Sequence, residues 1–205
     1  MTRLCLVLAC AHLLAPQLSS AQEFTKPGRI AQLPAPAILD TTGLFLARIA
    51  RVGDVFIAGQ PTERALREMR DQGVTTVINL RMPDEMKRAV SFDEEALVKQ
   101  LGMRYVYIPV RAETDHPYSP ATVDHFAEAV RKANGKVLLH CTIAWRASHL
   151  WAAYLIRERG IPVEDALANA RLINLMDTHR MNPGGRQPVE EFLGRSIPGL
   201  GRQVH

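Results

Sequence analysis

The sequence is poor in cysteine, with three among its 205 residues. Two of them, Cys5 and Cys10, lie close to the amino terminus, so Cys141 is the single thiol of the remaining chain. One thiol cannot build a disulfide framework, which excludes a small disulfide-stapled domain. Cys141 therefore needs another explanation, either as a small buried hydrophobe or as a reactive group.

Long apolar runs are missing as well. The longest, Leu4 to Leu14, is shorter than the roughly 20 residues that cross a bilayer, so we expect no stable membrane insertion. Arg3 before this run and Ser19–Ala21 after it predict a secretory signal peptide over residues 1–21, and hence a secreted or periplasmic mature protein. Lipidation at Cys10 is a weaker alternative, because the residues before it form an imperfect lead-in.

Charge of one sign does not accumulate anywhere in the chain. There are 25 Lys and Arg against 21 Asp and Glu, for a net charge of +4. No basic run resembles a nucleic-acid-binding arm, so we expect no nucleic-acid partner and at most an attraction for anionic substrates. His, Asp and Glu show no zinc or calcium spacing, so we predict neither a metal nor another cofactor.

From about residue 41 onward, short β-branched runs alternate with segments of helical character. The strand candidates are Val55–Ile57, Thr75–Ile78, Tyr105–Ile108 and Val137–Leu139. Continuous apolar strands that alternate with helices are typical of a parallel sheet covered on both faces. We therefore predict an α/β fold with a central, mainly parallel sheet of four to five strands flanked by helices.

Composition also predicts the domain boundaries. Residues 22–40 are rich in proline and small residues, which indicates a flexible lead-in. Residues 41–195 are long enough to bury one core and form one domain, followed by a tail over residues 196–205. Within the domain, Ser91 followed by Glu94 has the pattern of a capping box and predicts a helix start.

The segment from His140 to Ser148 joins the end of a predicted strand to the start of a predicted helix, where parallel sheets bind their ligands. Backbone N–H groups at a helix start can hold a tetrahedral dianion and stabilise Cys141 as a thiolate nucleophile. The Arg146 guanidinium can bind two phosphate oxygens at once. Ser148 could donate to the thiolate, and His140 could orient the loop. The substrate-binding candidates are Thr142, Ile143, Ala144, Trp145, Arg146 and Ser148.

This segment resembles the signature of the cysteine-dependent protein phosphatase superfamily, which is His-Cys, five residues, Arg, then Ser or Thr. Only four residues separate Cys141 from Arg146, and that shorter loop resembles a bacterial branch called beta-lactamase-hydrolase-like or dual-specificity-like phosphatases. Ala144 stands where relatives often have Gly or Asn, so a positive φ there would strain it. Three upstream strings carry the same resemblance: Gly59–Thr62, Val77–Arg81 and Tyr107–Val110.

The resemblance implies a protein tyrosine or dual-specificity phosphatase that forms a phosphocysteine intermediate on Cys141. Its substrate would be a phosphorylated protein or a small phosphate ester. Relatives carry a general acid on the loop after the third strand, where Asp115 is our first candidate and Glu113 the second. A general acid is needed because the leaving oxygen must be protonated.

Two other functions compete with this hypothesis. Rhodanese-type sulfurtransferases also place four residues between cysteine and arginine. His140 and the upstream strings favour the phosphatase over them. A non-catalytic phosphate-binding module is the other alternative, because Ala144 departs from the family pattern and the acid is not assigned.

Overall fold

The computed structural model describes residues 33–40, 42–112, 114–176 and 186–200. The strands are β1 (Ala37–Leu39), β2 (Ile49–Val52), β3 (Val55–Ala58), β4 (Val74–Asn79), β5 (Arg104–Tyr107) and β6 (Lys136–His140). The helices are α1 (Glu63–Asp71), α2 (Pro83–Ala89), α3 (Glu94–Gln100), α4 (Pro120–Arg131), α5 (Trp145–Glu158), α6 (Val163–Ile173) and α7 (Pro188–Leu193).

One six-stranded sheet runs through the molecule in the order β1-β2-β3-β6-β4-β5. The pairs β3–β6, β6–β4 and β4–β5 are parallel, whereas β1–β2 and β2–β3 are antiparallel. The predicted α/β fold with a mainly parallel sheet is thus confirmed, with six strands where four to five were expected. The register sets Ala58 and Asn79 on either side of His140, so the carboxyl ends of three strands meet at one edge.

Apolar side chains cover both faces of the sheet. Ile57 and Leu139 belong to one buried cluster, whereas Phe56 and Leu138, their neighbours along the same strands, belong to the other. This alternation is what the two-residue period of a strand dictates. Both clusters are large because every central strand is apolar on both faces. The strand that ends at His140 is therefore packed on both faces.

The ends of the domain depart from the prediction. Ala37–Leu39, expected in a flexible lead-in over residues 22–40, forms β1 and pairs with β2. At the other end, Ile197 of the expected tail is buried, and its N–H donates to Glu190 Oε1 at 2.7 Å. Residues 1–32, which include the predicted signal peptide and Cys10, lie outside the described residues.

The start of α3 also corrects the prediction. Asp93, rather than Ser91, caps this helix, and its carboxylate accepts from Ala96 N at 2.9 Å. Glu94 is not part of a capping box, because its side chain is 2% exposed and lies in the interior. Within the described ranges, no helix combines the length and the apolar composition that crossing a membrane requires.

Candidate functional site

The segment from Cys141 to Arg146, which we call the 141–146 loop, leads from the end of β6 into the first turn of α5 and lies against the end of β3. Cys141 is 1% exposed, and its N–H donates to Ala58 O at 3.3 Å. Gly59 forms a β-bridge with Ile143. A Cβ atom on Gly59 would lie 2.9 Å from Thr142 O and 2.9 Å from Ala47 N, so only glycine allows this close approach.

The backbone turns into α5 at Ala144, which has φ 67° and ψ −2°. This left-handed conformation costs a non-glycine residue about 1–2 kcal/mol. The turn directs the first backbone N–H groups of α5 toward the loop, and these groups have no partner within the helix. Such groups carry partial positive charge and can hold an anion. The strain that the sequence predicted for Ala144 under a positive φ is present.

Ser148 forms its side-chain hydrogen bond within the first turn of α5. Its Oγ donates to Ala144 O at 2.7 Å, one helical turn back. A serine four residues after a carbonyl in a helix is placed for this bond. In the resting loop Ser148 therefore holds the strained turn, and its donation to the leaving thiolate stays a prediction.

Arg146 is 7% exposed and has its guanidinium fixed on several sides. Glu85 Oε2 accepts from Nη1 at 2.9 Å, and Glu85 Oε1 accepts from Nη2 at 2.8 Å. Thr142 Oγ1 also accepts from Nη2, at 3.1 Å. The backbone carbonyls of Leu80 and Val110 accept from Nη1. The fork of Arg146 is therefore positioned before any ligand binds.

Burial and ion pairing shift the pKa values of Arg146 and Glu85 in opposite directions. Burial lowers the pKa of Arg146, but the hydrogen bonds that it donates to Glu85 and the charge of Cys141 outweigh this effect, and the net shift is upward. Burial raises the pKa of Glu85, but the hydrogen bond and charge of Arg146 lower it further than burial raises it. Both groups are thereby held in their charged forms.

A second arginine, Arg81, lies buried beside the first. It is 2% exposed, and its Nη1 donates to Gln60 Oε1 at 2.7 Å. Its Nη2 donates to the backbone oxygen of Glu85 at 3.1 Å. Burial is the largest influence on its pKa, which is lowered, and the charge of Arg146 adds to the effect. Two guanidinium groups therefore contribute positive charge around the thiol.

His140 lies behind the loop and takes part in a buried polar network. Its Nε2 is 3.0 Å from Glu94 Oε1, and both side chains are almost completely buried. Gln60 and Asn79 also donate to the Glu94 carboxylate. Burial raises the pKa of Glu94, but the charge and hydrogen bonds of these partners lower it on balance. His140 is thus fixed at the end of β6, directly before the loop.

The loop after β5 carries the predicted acid. Asp115 is exposed in a turn that is closed by the N–H of Arg111, which donates to His116 O at 2.9 Å. The Arg111 side chain reaches Asp84 of α2 at 3.1 Å and so ties the two segments together. Glu113, the second candidate, lies outside the described residues.

The structure brings Cys141, Thr142, Ala144 and Arg146 together in one loop, with Trp145 half-buried against His149 and Ile143 exposed at the rim. The sequence did not indicate Glu85, because it lies 61 positions from the arginine that it binds. In the described part of the chain, no three His, Cys, Asp or Glu side chains are grouped as metal ligands would be.

Comparison with known proteins decides the family. A family model described as DSP-PTPase phosphatase fused to NAD+ kinase matches residues 52–183. The chain belongs to the DSP-PTPase phosphatase family. Two beta-lactamase hydrolase-like proteins of Xylella fastidiosa, strains Temecula1 and 9a5c, are each 30% identical to it over 97 residues. These cover 47% of the chain but only 22% of each relative, so the chain spans less than a quarter of the length of these curated relatives.

Solved structures confirm the DSP-PTPase fold. A candidate phosphatase (DUF442) from Shewanella putrefaciens has a TM-score of 0.54 at 23% identity, covering 79% of this chain and 90% of its own. A mutant form of Tk-PTP has a TM-score of 0.53 at 20% identity, and the match covers 78% of this chain and 95% of the Tk-PTP chain. PTPMT1 in complex with PI(5)P has a TM-score of 0.53 at 19% identity, and the match covers 68% of this chain and 88% of the PTPMT1 chain. At these identities the likeness shows the fold alone.

Proposed function

We propose that this chain is a cysteine-dependent phosphomonoesterase that works through a phosphocysteine intermediate. The observation that carries the proposal is one anion site that combines a thiol with a fixed guanidinium. Cys141 lies at the start of the loop, and Arg146 at its end is charged and already oriented by Glu85. Family membership supports the same chemistry.

In the first step, Cys141 Sγ attacks the phosphorus and the bond from phosphorus to the ester oxygen breaks. The electron pair leaves with that oxygen, which takes a proton from Asp115. In the second step, a water oxygen attacks the phosphorus while the Asp115 carboxylate takes the water's proton. The S–P bond then breaks, and its electron pair returns to Sγ as the thiolate.

Arg146 and the backbone N–H groups of the loop bind the non-bridging phosphate oxygens in both steps. Charge on these oxygens is stabilised best by donors that need no reorganisation during the reaction. The contacts of Glu85 with Arg146 fix the position of the guanidinium before the substrate binds. A phosphotyrosine or phosphoserine side chain and a small phosphate ester all present the same group to this site.

Three assays test the proposal. With para-nitrophenyl phosphate, Cys141→Ser is expected to lower turnover by at least about a thousandfold, because the nucleophile is lost. Arg146→Lys is also expected to be severe, because an ammonium group cannot keep the contacts with both Glu85 oxygens and bind a phosphate oxygen as well. Retained activity in Cys141→Ser would overturn the mechanism. Sulfur transfer from thiosulfate to cyanide would indicate a sulfurtransferase, and phosphate binding without turnover would indicate a binding module.

We also propose that the protein is exported, on the evidence of the pattern in residues 1–21. An n-region with Arg3, a short apolar run and small residues up to Ala21 are the features of a cleaved leader. Expression of the full chain followed by cell fractionation and intact-mass measurement tests this. A mass that corresponds to cleavage after Ala21 supports export, whereas an uncleaved cytoplasmic product contradicts it.

A further inference from the structure

The upstream strings Gly59–Thr62 and Val77–Arg81 meet in the folded chain. Nη1 of Arg81 donates to Gln60 Oε1 at 2.7 Å. Nη2 of the same guanidinium donates to the backbone oxygen of Glu85 at 3.1 Å. Arg81 therefore joins the segment that follows β3 to helix α2.

Each of these two partners of Arg81 supports a different part of the anion site. Gln60 N donates to Thr142 O at 3.0 Å and so fixes the backbone of the loop. The Glu85 carboxylate accepts from both Nη groups of Arg146. One guanidinium thus connects the support of the loop backbone with the support of the phosphate-binding arginine.

Helix α2 depends on polar contacts for its position. Its seven residues include no fully buried side chain. The ion pair from Asp84 to Arg111 is solvent-exposed, and exposed ion pairs contribute little to stability. The hydrogen bond from the buried Arg81 side chain, by contrast, reaches the Glu85 backbone directly. Arg81 is therefore placed to determine where Glu85 lies.

The surroundings of Arg81 are unusual for a residue of the interior. Its side chain is 2% exposed, and both acceptors of its Nη groups are uncharged oxygens. Within the described ranges, its Nε has no hydrogen-bond partner. A buried cation held only by neutral groups is unfavourable for stability, and such exceptions are expected at functional sites. The position of Arg81 therefore points to the anion site rather than to core packing.

We propose that Arg81 is a positioning residue of the anion site, which holds Glu85 so that the Arg146 guanidinium is oriented for phosphate. This inference rests on the proposed function, since phosphate is the ligand for which Arg146 is oriented. A role through Glu85 predicts coupling, because Arg81 has nothing left to position once Glu85 no longer holds Arg146. A role through charge alone predicts an effect that does not depend on Glu85.

Arg81→Lys tests the proposal, because it keeps the charge while a single ammonium group cannot reproduce two donors held apart in one plane. We expect the dissociation constant of vanadate, measured by calorimetry, to rise about tenfold, the effect of one hydrogen bond to a charged group. The loss in kcat/KM for para-nitrophenyl phosphate should appear mainly in KM. Arg64→Gln is the matched control, since Arg64 is exposed on α1 and pairs with Glu68, and it should bind vanadate as the wild-type protein does.

The double variant Arg81→Lys/Glu85→Gln distinguishes the two roles. We expect its vanadate affinity to equal that of Glu85→Gln within about twofold, because sites that act through one another are not additive. Losses that multiply would show that Arg81 acts independently of Glu85 and would overturn the positioning role. A general loss of structure would also act equally in both backgrounds, and circular dichroism of each variant checks that it is folded.

Arg81→Gln provides a second comparison, because it removes the charge and keeps one amide donor. Wild-type vanadate affinity in Arg81→Lys together with a loss in Arg81→Gln would show that Arg81 supplies only charge, and would overturn the proposal. A loss in both variants supports the two-point link.

Two further outcomes separate this inference from the proposed function. Vanadate binding that depends on Arg81 through Glu85, without turnover of any phosphate ester, would retain the positioning role but reject the phosphatase. Turnover of phosphate esters with full vanadate affinity in Arg81→Lys would retain the phosphatase but reject the positioning role.

Discussion

Glu85 holds the Arg146 guanidinium with both of its carboxylate oxygens, at 2.9 Å from Nη1 and 2.8 Å from Nη2. Glu85 belongs to α2, a seven-residue helix without a fully buried side chain. This helix is therefore held to the domain largely by polar contacts, including the one with Arg146. Asp84, its neighbour, reaches Arg111 of the loop that carries Asp115. Helix α2 thus connects the anion site to the candidate acid loop.

Glu85→Gln is expected to lower kcat/KM for phosphate esters by about 10- to 100-fold, because hydrogen bonds to a charged group contribute about 1.5–3 kcal/mol. The loss should appear mainly as weaker anion binding, so the inhibition constant of vanadate should rise in parallel. Alkylation of Cys141 by iodoacetamide reports whether the thiol remains reactive.

Lys87→Gln is the control for this prediction, since Lys87 lies on α2 and is exposed. Vanadate affinity in that variant should match the wild-type protein. If Glu85→Gln kept normal vanadate affinity, Arg146 would not depend on Glu85 for its position.

The acid is identified by comparing leaving groups. Asp115→Asn is expected to slow hydrolysis of an alkyl phosphate by about a hundredfold or more, because a poor leaving group needs the proton. The same variant should slow a nitrophenyl phosphate by less than about tenfold, because nitrophenolate leaves without protonation. Steady-state kinetics on both substrates provide the measurement.

Glu113→Gln is the matched variant on the same loop. If Glu113→Gln rather than Asp115→Asn shows the selective loss on the alkyl ester, the acid is Glu113. Equal losses on both substrates in Asp115→Asn would remove Asp115 from this role.

Local patterns predicted the central strands because each contains a run of β-branched, aromatic or aliphatic residues, as in Val137–Leu139 of β6. The hairpin of β1 and β2 was missed, since Ala37–Leu39 is three residues long and largely exposed. Glu94 was misread as a capping residue because its real partner, His140, lies 46 positions away. Residues that are distant in sequence and brought together only by the fold produce no local sequence pattern. The buried polar network of Glu94 could therefore not be predicted from the sequence.

Ala144 provides a test of backbone strain at the loop. Ala144→Gly loses a buried methyl group, worth about 0.8 kcal/mol, and adds disorder to the unfolded chain. It also relieves a left-handed conformation that costs alanine about 1–2 kcal/mol. These effects nearly cancel, so we expect the free energy of unfolding to change by less than about 1 kcal/mol. Urea denaturation measures it.

Ala147→Gly is the matched control, because Ala147 is equally buried but lies within α5. Here the lost methyl group and the poor helix propensity of glycine both destabilise the protein, and we expect the free energy of unfolding to fall by about 2 kcal/mol. Equal losses in the two variants would show that Ala144 is not strained in solution.

The buried contact between Glu94 and His140 makes the free energy of unfolding depend on pH. Burial raises the pKa of Glu94, but the charge and hydrogen bonds of its partners lower it below its usual range. A carboxylate with a lowered folded pKa stabilises the native state fully above its unfolded pKa of about 4.3, and this contribution is lost as pH falls through the folded pKa.

Glu94→Gln cannot titrate at this position and leaves His140 without its charged partner. We therefore expect it to be less stable than the wild-type protein by about 3 kcal/mol at neutral pH, and we expect this deficit to shrink as pH falls below about 4.3. Urea denaturation between pH 3 and pH 7 measures the difference. Glu95→Gln, which removes an exposed partner of Lys99 on the same helix, should lose little stability at neutral pH. A Glu94→Gln deficit that stays constant down to pH 3 would show that ionisation of the Glu94 carboxylate does not contribute to stability.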